Sequence, residues 1–302
     1  EIKECDWSSD VCSSDLCANP RIERGGSMFT DTVVFVDGAE GSDAVVSVAL
    51  NACGGPGAHL TVVGMPRDPG HVMHLANAPG AVLAKAVQDA QGAAERMAAR
   101  VEEAALARGV ACLHHTVQAP GIDLPDIVAR IARRFDVAVM ALPGINARGE
   151  DEALLEAALF NSGRALIGAP RGVEASRTFD RILLAWDGHR EAARAAGDAL
   201  PLLKAAKFVE IFSVASRLDA DDAELPGCHI AGHLARHGVA CEFRSVEQRG
   251  AVADLLLGRA DELKADLIVM GAYRHSRWRQ ALLGGATRNI LQSARVPLFL
   301  SR

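Results

Sequence analysis

DLIVMGAYRHSRWRQALLGGATRNILQSARVPLFL, residues 266–300, is the stretch of the chain that decides its fold. It begins as an apolar strand that ends at Gly271 and continues as a basic loop. A Gly-Gly-Ala-Thr run at 284–287 then opens a helix, and a short strand closes the stretch. In open α/β sheets, ligands bind outside the carboxyl ends of the strands, and the free amides of a helix N-terminus hold phosphate. This order of elements predicts a nucleotide pocket.

The same plan occurs twice along the chain. TDTVVFVDG at 30–38 and DRILLAWDG at 180–188 are both apolar strands that end in Asp-Gly and lead into an alanine-rich helix. DVAVMALPG at 136–144 matches ADLIVMGAY at 265–273 in the same way. Repeated strands and helices in one order indicate a tandem duplication.

Each half divides into alternating strands and helices, and continuous apolar strands are typical of a parallel sheet that is buried on both faces. The predicted strands lie at 31–37, 59–65, 111–118, 137–142 and 166–169, and at 181–187, 208–215, 240–246, 266–271 and 297–301. The predicted helices lie at 42–53, 82–108, 124–134 and 151–162, and at 190–206, 227–237, 251–264 and 286–294. The fold class is therefore α/β, with two tandem doubly wound parallel five-stranded sheets.

The boundaries follow from this division. Residues 1–27 have neither helical nor strand periodicity, and we expect a non-native or disordered leader, with Met28 as the start of the folded chain. The first half is expected to span 28–170 and the second 180–302, with a linker at 171–179.

Composition narrows the possible functions. A formal charge of −6 argues against a general affinity for nucleic acid. The sequence after Met28 contains neither a run of eighteen apolar residues, which a membrane span would need, nor a leader for secretion. A cytoplasmic protein with a small ligand or a protein partner is expected. Four cysteines after Met28 form no C-x-x-C pair, so reduced, buried thiols are expected at Cys53, Cys112, Cys228 and Cys241.

The second half resembles a universal stress protein domain, and the duplicated layout resembles the tandem members of that family. The family's phosphate motif is G-x-x-G, nine residues, then G followed by Ser or Thr. Gly271 and Gly284 match it, whereas Arg274 replaces the second glycine and Gly285 replaces the Ser or Thr. The resemblance implies the strand order 3-2-1-4-5 in each half.

The resemblance also implies a set of nucleotide-binding residues at the strand ends. Asp187 matches the family aspartate near the adenine, and the turn that meets phosphate matches Gly284 and the residues after it. The full set is Ala185, Trp186, Asp187, Val214, Met270, Gly271, Arg274, Gly284, Gly285, Ala286 and Thr287. Glycine at 271 would let a backbone approach an anion closely, and Asp187 before a glycine is equally typical of a turn or a helix cap.

Arg274 leaves two alternatives open. Its guanidinium could clamp a phosphate through charge-assisted hydrogen bonds, as could Arg277 and Arg279 in the same loop, or it could occupy the place of the phosphate. The first half has Asp37 but neither the G-x-x-G spacing nor a Gly-Gly-x-Thr helix entry. We expect it to pair with the second half as an intramolecular pseudo-dimer, and a homodimer of chains is also open.

Other patterns have ordinary structural explanations beside functional ones. His229, His233 and His237 share one helical face next to Cys228, which fits a zinc site or an exposed polar face. His114 and His115 alternate across a strand and cannot act together. The run RHSRWR at 274–279 fits a lid over the pocket or a surface for single-stranded nucleic acid.

The leading hypothesis is a universal stress protein that binds an adenine nucleotide, namely ATP, in its second half and acts as a regulatory module in a stress response. Whether magnesium takes part is open. The alternatives are a nucleotide-free protein-interaction module and a weak ATP hydrolase. Since the sequence contains no P-loop, no G-x-S-x-G elbow and no evident general base, we expect no enzyme.

Overall fold

A computed structural model describes residues 28–39, 42–54, 57–66, 80–117, 123–144, 149–172, 178–215, 226–272 and 286–302. The first half contains β1 (Asp31–Val36), α1 (Asp43–Ala52), β2 (His59–Gly64), α2 (Gly80–Ala107), β3 (Ala111–Thr116), α3 (Leu124–Ala132), β4 (Val137–Ala141), α4 (Gly149–Asn161) and β5 (Ala165–Ala169). The second contains β6 (Arg181–Ala185), α5 (Arg190–Asp198), α6 (Leu200–Ala205), β7 (Phe208–Ala215), α7 (Pro226–Arg236), β8 (Cys241–Glu247), α8 (Val252–Leu263), β9 (Leu267–Gly271), α9 (Ala286–Ser293) and β10 (Leu298–Ser301).

The strands form a ten-stranded sheet in the order β3-β2-β1-β4-β5-β10-β9-β6-β7-β8. Within each half the order is 3-2-1-4-5 and every pair is parallel, which confirms the predicted α/β fold class. The structure adds that the two sets of five strands join edge to edge. β5 and β10 are antiparallel, with Ile167 opposite Phe299, and this ladder is the form that the expected pairing of the halves takes.

Side chains reinforce the junction between the halves. The ring of Phe299 on β10 stacks on that of Phe29 at 6.1 Å between centroids. The guanidinium carbon of Arg302 lies 4.6 Å from the centre of the Phe160 ring at the end of α4. Because β5 and β10 are both apolar and buried, pairing them removes two exposed sheet edges.

Helices cover both faces of the sheet, and alternate residues of each strand point to opposite faces. One core layer contains Val34 and the helices α1, α2, α5, α6 and α7. The other contains Val33 and Phe35 with α3, α4, α8 and α9. Equivalent helices of the two halves therefore lie on the same face.

A repeated aspartate marks the duplication at the level of hydrogen bonds. Asp136, directly before β4, accepts a bond from the backbone N–H of Asp31 at 3.0 Å. Asp266, directly before β9, accepts one from the backbone N–H of Arg181 at 2.9 Å. In both halves this carboxylate fixes the start of the fourth strand against the start of the first.

The helix predicted at 190–206 is two helices. α5 ends at Asp198 and α6 begins at Leu200, with Pro201 in its first turn. Proline has no N–H to donate and its ring clashes with the preceding turn, so a continuous helix is broken there. Among the described helices, none combines the length and the apolarity that a membrane span needs.

Candidate functional site

The strand ends of the second half bring part of the predicted set together. Ala185 at the end of β6, Val214 near the end of β7 and Met270 on β9 all pack on the sheet face that α8 and α9 cover. Trp186 follows Ala185 and packs on the opposite face, against the core layer that includes α5, α6 and α7. Trp186 is therefore separated from the apolar floor that the other three side chains form.

Asp187 lies in a tight turn after β6. One of its carboxylate oxygens accepts a hydrogen bond from the backbone N–H of His189 at 3.0 Å, and the ring Nδ1 of His189 lies 2.8 Å from the backbone oxygen of Asp187. Gly188 between them has φ +75°, which glycine adopts without strain. The Asp187 side chain remains 56% exposed. The turn thus holds the carboxylate in place and leaves its outer side to solvent.

Gly271 is required by a packing contact within the fold, whatever its predicted role beside a ligand. A Cβ placed there would lie 2.5 Å from the backbone carbon of Glu191 and 2.6 Å from the nitrogen of Ala192. The first turn of α5 therefore packs directly on the end of β9, and glycine is needed for this contact. The described glycines with positive φ do not include Gly271, so neither positive φ nor an approach to an anion is needed to explain it.

The predicted phosphate turn lies mostly outside the described residues. Arg274, Gly284 and Gly285 all lie outside the described residues. The side chain of Cys228, a residue of the alternative zinc site, also lies outside them. Ala286 and Thr287 begin α9, whose first turn carries no acidic residue. A helix N-terminus has a partial positive charge of about half an elementary charge, and nothing acidic in this turn offsets it.

The carboxyl ends of β1, β2 and β4 form the corresponding edge of the first half, and an ion pair closes it. Asp37, the counterpart of Asp187, accepts hydrogen bonds from Nη2 of Arg171 at 2.6 Å and from Nη1 at 3.3 Å. Its oxygen also accepts from the backbone N–H of Ala39 at 3.1 Å, the same turn that Asp187 makes. Its side chain is only 12% exposed. The two aspartates share a turn and differ in access.

A cavity of about 520 Å³, including its open mouth, lies beside this ion pair. The end of β1, the starts of α1, α3 and α4, and the residues after β2 and β5 surround it. Its lining consists of Phe35, Val36, Asp37, Ser42, Val45, Met65, Pro66, Leu124, Met140, Ala141, Glu150, Asp151, Leu154 and Arg171. The sequence predicted the site in the second half. There, residues 273–285, in the segment after β9, lie outside the described ranges.

Strand register relates the walls of the two edges. Phe35 pairs in register with Val63, and Ala185 with Phe212. Two residues after Val63 and Phe212 come Met65, directly after β2, and Val214, on β7. The counterparts of Phe35, Met65 and Met140 are therefore Ala185, Val214 and Met270. Since alanine and valine are smaller than phenylalanine and methionine, the floor of the second half is built from smaller side chains.

The helix starts differ in charge. α4 carries Glu150, Asp151 and Glu152 in its first turn, whereas the first turn of α9 has none. Carboxylates there offset the positive end of the helix and repel phosphate. The starts of α4 and α9 therefore differ in their number of acidic residues, three against none.

Sequence reasoning missed Arg171 as a site residue and assigned it to the linker. The only signal was a basic residue soon after a buried strand, which is common in linkers too. Glu150 and Asp151 were visible as an acidic helix start, a pattern also explained by helix stability.

The remaining candidates behave as surface or core residues. The three histidines of the α7 region are exposed, and His237 lies past the end of α7; no described residues group as metal ligands. Nδ1 of His114 lies 2.6 Å from a carboxylate oxygen of Glu102, within hydrogen-bond distance. Of the cysteines, Cys53 is buried as predicted, while Cys112 and Cys241 are only partly buried, and all three are free thiols.

A known protein family matches the second half of the chain. The family model described as the universal stress protein family matches residues 178–302. A universal stress protein from Archaeoglobus fulgidus DSM 4304 is 17% identical with a TM-score of 0.66, and the match covers 90% of this chain and 96% of that one. A functionally unknown protein from Pseudomonas aeruginosa PAO1 is 13% identical with a TM-score of 0.51, over 91% and 93% of the two chains. These two likenesses span both halves and concern the fold alone.

A universal stress protein solved in complex with cAMP is 23% identical over 41% of this chain and 97% of its own, with a TM-score of 0.35. No curated protein matches the sequence significantly.

Proposed function

We propose, from the match of residues 178–302 to the universal stress protein family, that the second half of the chain is a domain of this family. It binds an adenine nucleotide, ATP, at the carboxyl ends of β6, β7 and β9. The contrast between two equivalent aspartates carries the proposal. Asp187 is held by its turn and is 56% exposed, whereas Asp37 is 12% exposed beneath Arg171. Only the Asp187 carboxylate has access to a ligand's hydroxyl or amine donors.

The apolar floor beside Asp187 is suited to the flat ring of an adenine base. Ala185, Val214 and Met270 lie on one face of the sheet, and pockets for cofactors are mostly apolar with a few polar groups that fix orientation. Ala185 takes the place that the ring of Phe35 fills in the first half, which leaves space for the adenine.

The start of α9 is suited to bind the phosphates of the nucleotide. α9 begins at Ala286 without an acidic residue in its first turn, so its amides and partial charge favour an anion by about 0.3–1 kcal/mol at an exposed site. In this proposal Gly284, Gly285 and Thr287 complete the phosphate turn, and Arg274 clamps a phosphate. Magnesium would accompany ATP as its ordinary counterion.

The function that follows is regulatory. Nucleotide occupancy of the second half would bias contacts with a protein partner in the cytoplasm during a stress response, with no catalytic step. The first half serves as a partner fold that completes the sheet.

Titration calorimetry with ATP and magnesium tests the proposal, together with mass spectrometry of any nucleotide released from the denatured protein. Asp187→Ala should weaken binding about tenfold or more, because a buried ligand donor loses its acceptor. The matched control is Asp37→Ala, the same change in the same turn of the other half, which should leave ATP affinity unchanged.

Two results would overturn the proposal. One is the absence both of a calorimetric response at millimolar ATP and of released nucleotide, which would favour the nucleotide-free interaction module. The other is an equal loss of affinity in both aspartate variants. For Arg274, a gain of affinity in Arg274→Ala would show that the arginine blocks the phosphate position instead of clamping it.

A further inference from the structure

The strand β3 forms one outer edge of the ten-stranded sheet. In the part of the chain that the structure describes, no strand lies beyond it. We propose that this edge is a dimer interface, at which β3 pairs antiparallel with β3 of a second copy of the chain. Two ten-stranded sheets would then join edge to edge, as β5 and β10 join the two halves. This inference does not depend on nucleotide binding in the second half.

The backbone of β3 offers a row of hydrogen-bonding groups to a further strand. The N–H of Val117 donates to the backbone oxygen of Gly64 on β2 at 2.8 Å. Because successive residues of a strand turn their backbone groups to alternate sides, the groups of Cys112, His114 and Thr116 point away from β2. Such edge groups are a template for pairing with another chain.

These three residues select one register for two antiparallel copies. In an antiparallel ladder, two residues whose backbone groups face each other exchange two hydrogen bonds. When His114 faces His114 of the second copy, Cys112 faces Thr116 and Thr116 faces Cys112, so all the outward groups are paired. A centre on Leu113 or His115 leaves one of the three without a counterpart in β3.

The two edge strands of the sheet, β3 and β8, have equivalent places in the two halves. The sequence Gly-Val-Ala-Cys occurs at the start of both, at 109–112 and at 238–241, so the residues around them can be equated. Three equivalent pairs differ in character: Leu106 and Ala235, Leu113 and Glu242, His115 and Arg244. Charged side chains on an edge strand oppose pairing with another sheet. β3 contains no lysine, arginine, acidic residue or proline, so it lacks this protection.

The apolar side chains at the β3 edge are strongly exposed. Leu106 is 60% exposed and Leu113 is 57% exposed, and they are two of the three large apolar side chains in the described residues with such exposure. In the proposed register Leu113 lies opposite His115 of the second copy, so pairing covers it. The same register at β8 would bring together Glu242 and Arg244, and exposed ion pairs add little to association. Burial of apolar surface therefore favours the β3 edge.

The helix beside β3 fits the same arrangement. α2 packs over β2 and β3, so the α2 helices of two copies would lie two strand spacings apart, or about 10 Å. Packed helices are usually about 8–10 Å apart. Ala99 and Leu106 lie one turn before and after Glu102 on the same side of α2. Leu106 would therefore contact Ala99 of the second copy, and a helix pair would add to the strand pair.

The charges at the centre of this interface are complementary. Nδ1 of His114 lies 2.6 Å from a carboxylate oxygen of Glu102 on α2, and the two side chains are 38% and 29% exposed. About a twofold axis through His114, two such imidazole–carboxylate pairs would lie side by side. Each carboxylate is thus already paired within its own copy, and dimerisation buries no isolated charge.

Sedimentation equilibrium of the full chain, from about 1 µM to about 1 mM, tests the interface. We expect a monomer–dimer equilibrium with a Kd on the order of 10–100 µM, because the contact is small for a specific dimer. Leu113→Lys should raise this Kd about tenfold or more, since it removes apolar burial and places a charge on the edge. Glu242→Lys is the matched control. It puts the same residue at the equivalent place on β8 and should leave the Kd unchanged.

A cysteine experiment tests the register. Leu113 and His115 of the second copy would form a pair without hydrogen bonds, whose α-carbons are about 4.5 Å apart, within disulfide range. A mixture of Leu113→Cys and His115→Cys chains, oxidised with copper phenanthroline, should give a covalent dimer with one chain of each variant. Either variant alone, and the unaltered chain, should give much less.

A chain that stays monomeric up to about 1 mM would contradict the proposal, as would a dimer that Leu113→Lys leaves intact or that Glu242→Lys disrupts. Equal cross-linking in the mixture and in either variant alone would contradict the register. The unaltered chain and the cysteine mixture give an answer even where Leu113→Lys fails to fold. Calorimetry with ATP tests the proposed function separately, so one proposal can fail without the other.

Discussion

Arg171 and Asp37 form a bidentate ion pair between residues that are 134 positions apart in the chain. The arginine follows β5 and the aspartate follows β1, so the pair connects strand ends on either side of β4. At the equivalent point of the second half, Asp187 has the nearby His189 beside it. One duplicated turn has thus become a closed structural contact in the first half and an open carboxylate in the second.

Replacing Arg171 with methionine should destabilise the fold without creating a nucleotide site. The change removes the guanidinium from a carboxylate that is 12% exposed, at an expected cost of about 1–3 kcal/mol. Urea unfolding measures the cost, and Asp37→Asn added to Arg171→Met should recover part of it. If Arg171→Met acquired ATP binding in the first half, the acidic start of α4 would not be the barrier that we infer.

Gly271→Ala should destabilise the second half. Its Cβ would lie 2.5 Å from a backbone atom of Glu191, so α5 must move away from β9, at about 1–3 kcal/mol in the unfolding free energy. Gly258→Ala is the control within α8. No atom lies within 4 Å of its added Cβ, and alanine there should stabilise the helix by up to about 1 kcal/mol. A neutral Gly271→Ala would contradict the close packing.

The ion pair between Glu210 on β7 and Arg259 on α8 should be costly to break. Oε2 of Glu210 lies 2.6 Å from Nη2 of Arg259, and the glutamate side chain is 4% exposed. Glu210→Ala leaves a guanidinium that is 17% exposed and still paired with Glu262, and should cost about 1–3 kcal/mol. Glu262, the other acidic partner of Arg259, is 69% exposed, so Glu262→Ala should cost at most about 1 kcal/mol. Similar losses in both variants would show that burial does not set the cost.

Cys112 should react slowly with alkylating reagents although it is only half-buried. Burial, followed by the charge of Glu102, raises the pKa of its thiol to about 11 from a usual value of 9.0. Because the thiolate is the nucleophile, alkylation at about pH 8 should be on the order of a hundredfold slower than in the unfolded chain and should accelerate as pH rises toward the pKa.

Peptide mapping after timed iodoacetamide treatment measures the rate at Cys112. Glu102→Gln should lower the pKa of the thiol and speed the reaction, whereas Glu103→Gln, an exposed neighbour on α2, should not. Alkylation of native Cys112 as fast as in the unfolded chain would refute this expectation.

Much of the fold follows from local patterns in the sequence. Apolar runs such as 182–185 and 267–270 are typical of buried parallel strands, and they place β6 and β9 correctly. Pro201 was a visible signal for the break between α5 and α6 and was outweighed by the alanine-rich periodicity around it. The β5–β10 pairing had no local signal, since an apolar strand can pair on either side and in either direction.

The candidate site shows the limit of the same approach. Asp37 and Asp187 are both followed by glycine, and the distant Arg171 makes the environment of Asp37 different from that of Asp187. Gly271 was recognised as a close-approach glycine, but the approaching backbone belongs to α5, a contact that no short motif encodes. Nucleotide-binding roles for Asp187 and the other proposed residues stay predictions.

The antiparallel junction of β5 with β10 has a consequence for the geometry of recognition. All strands of the first half run one way across the sheet and all strands of the second run the other, so their carboxyl ends emerge on opposite sides of the molecule. Asp187 and Arg171 therefore face opposite sides of the molecule. The two sides are connected through the β5–β10 ladder and the side chains packed beside it, such as Phe29 on Phe299.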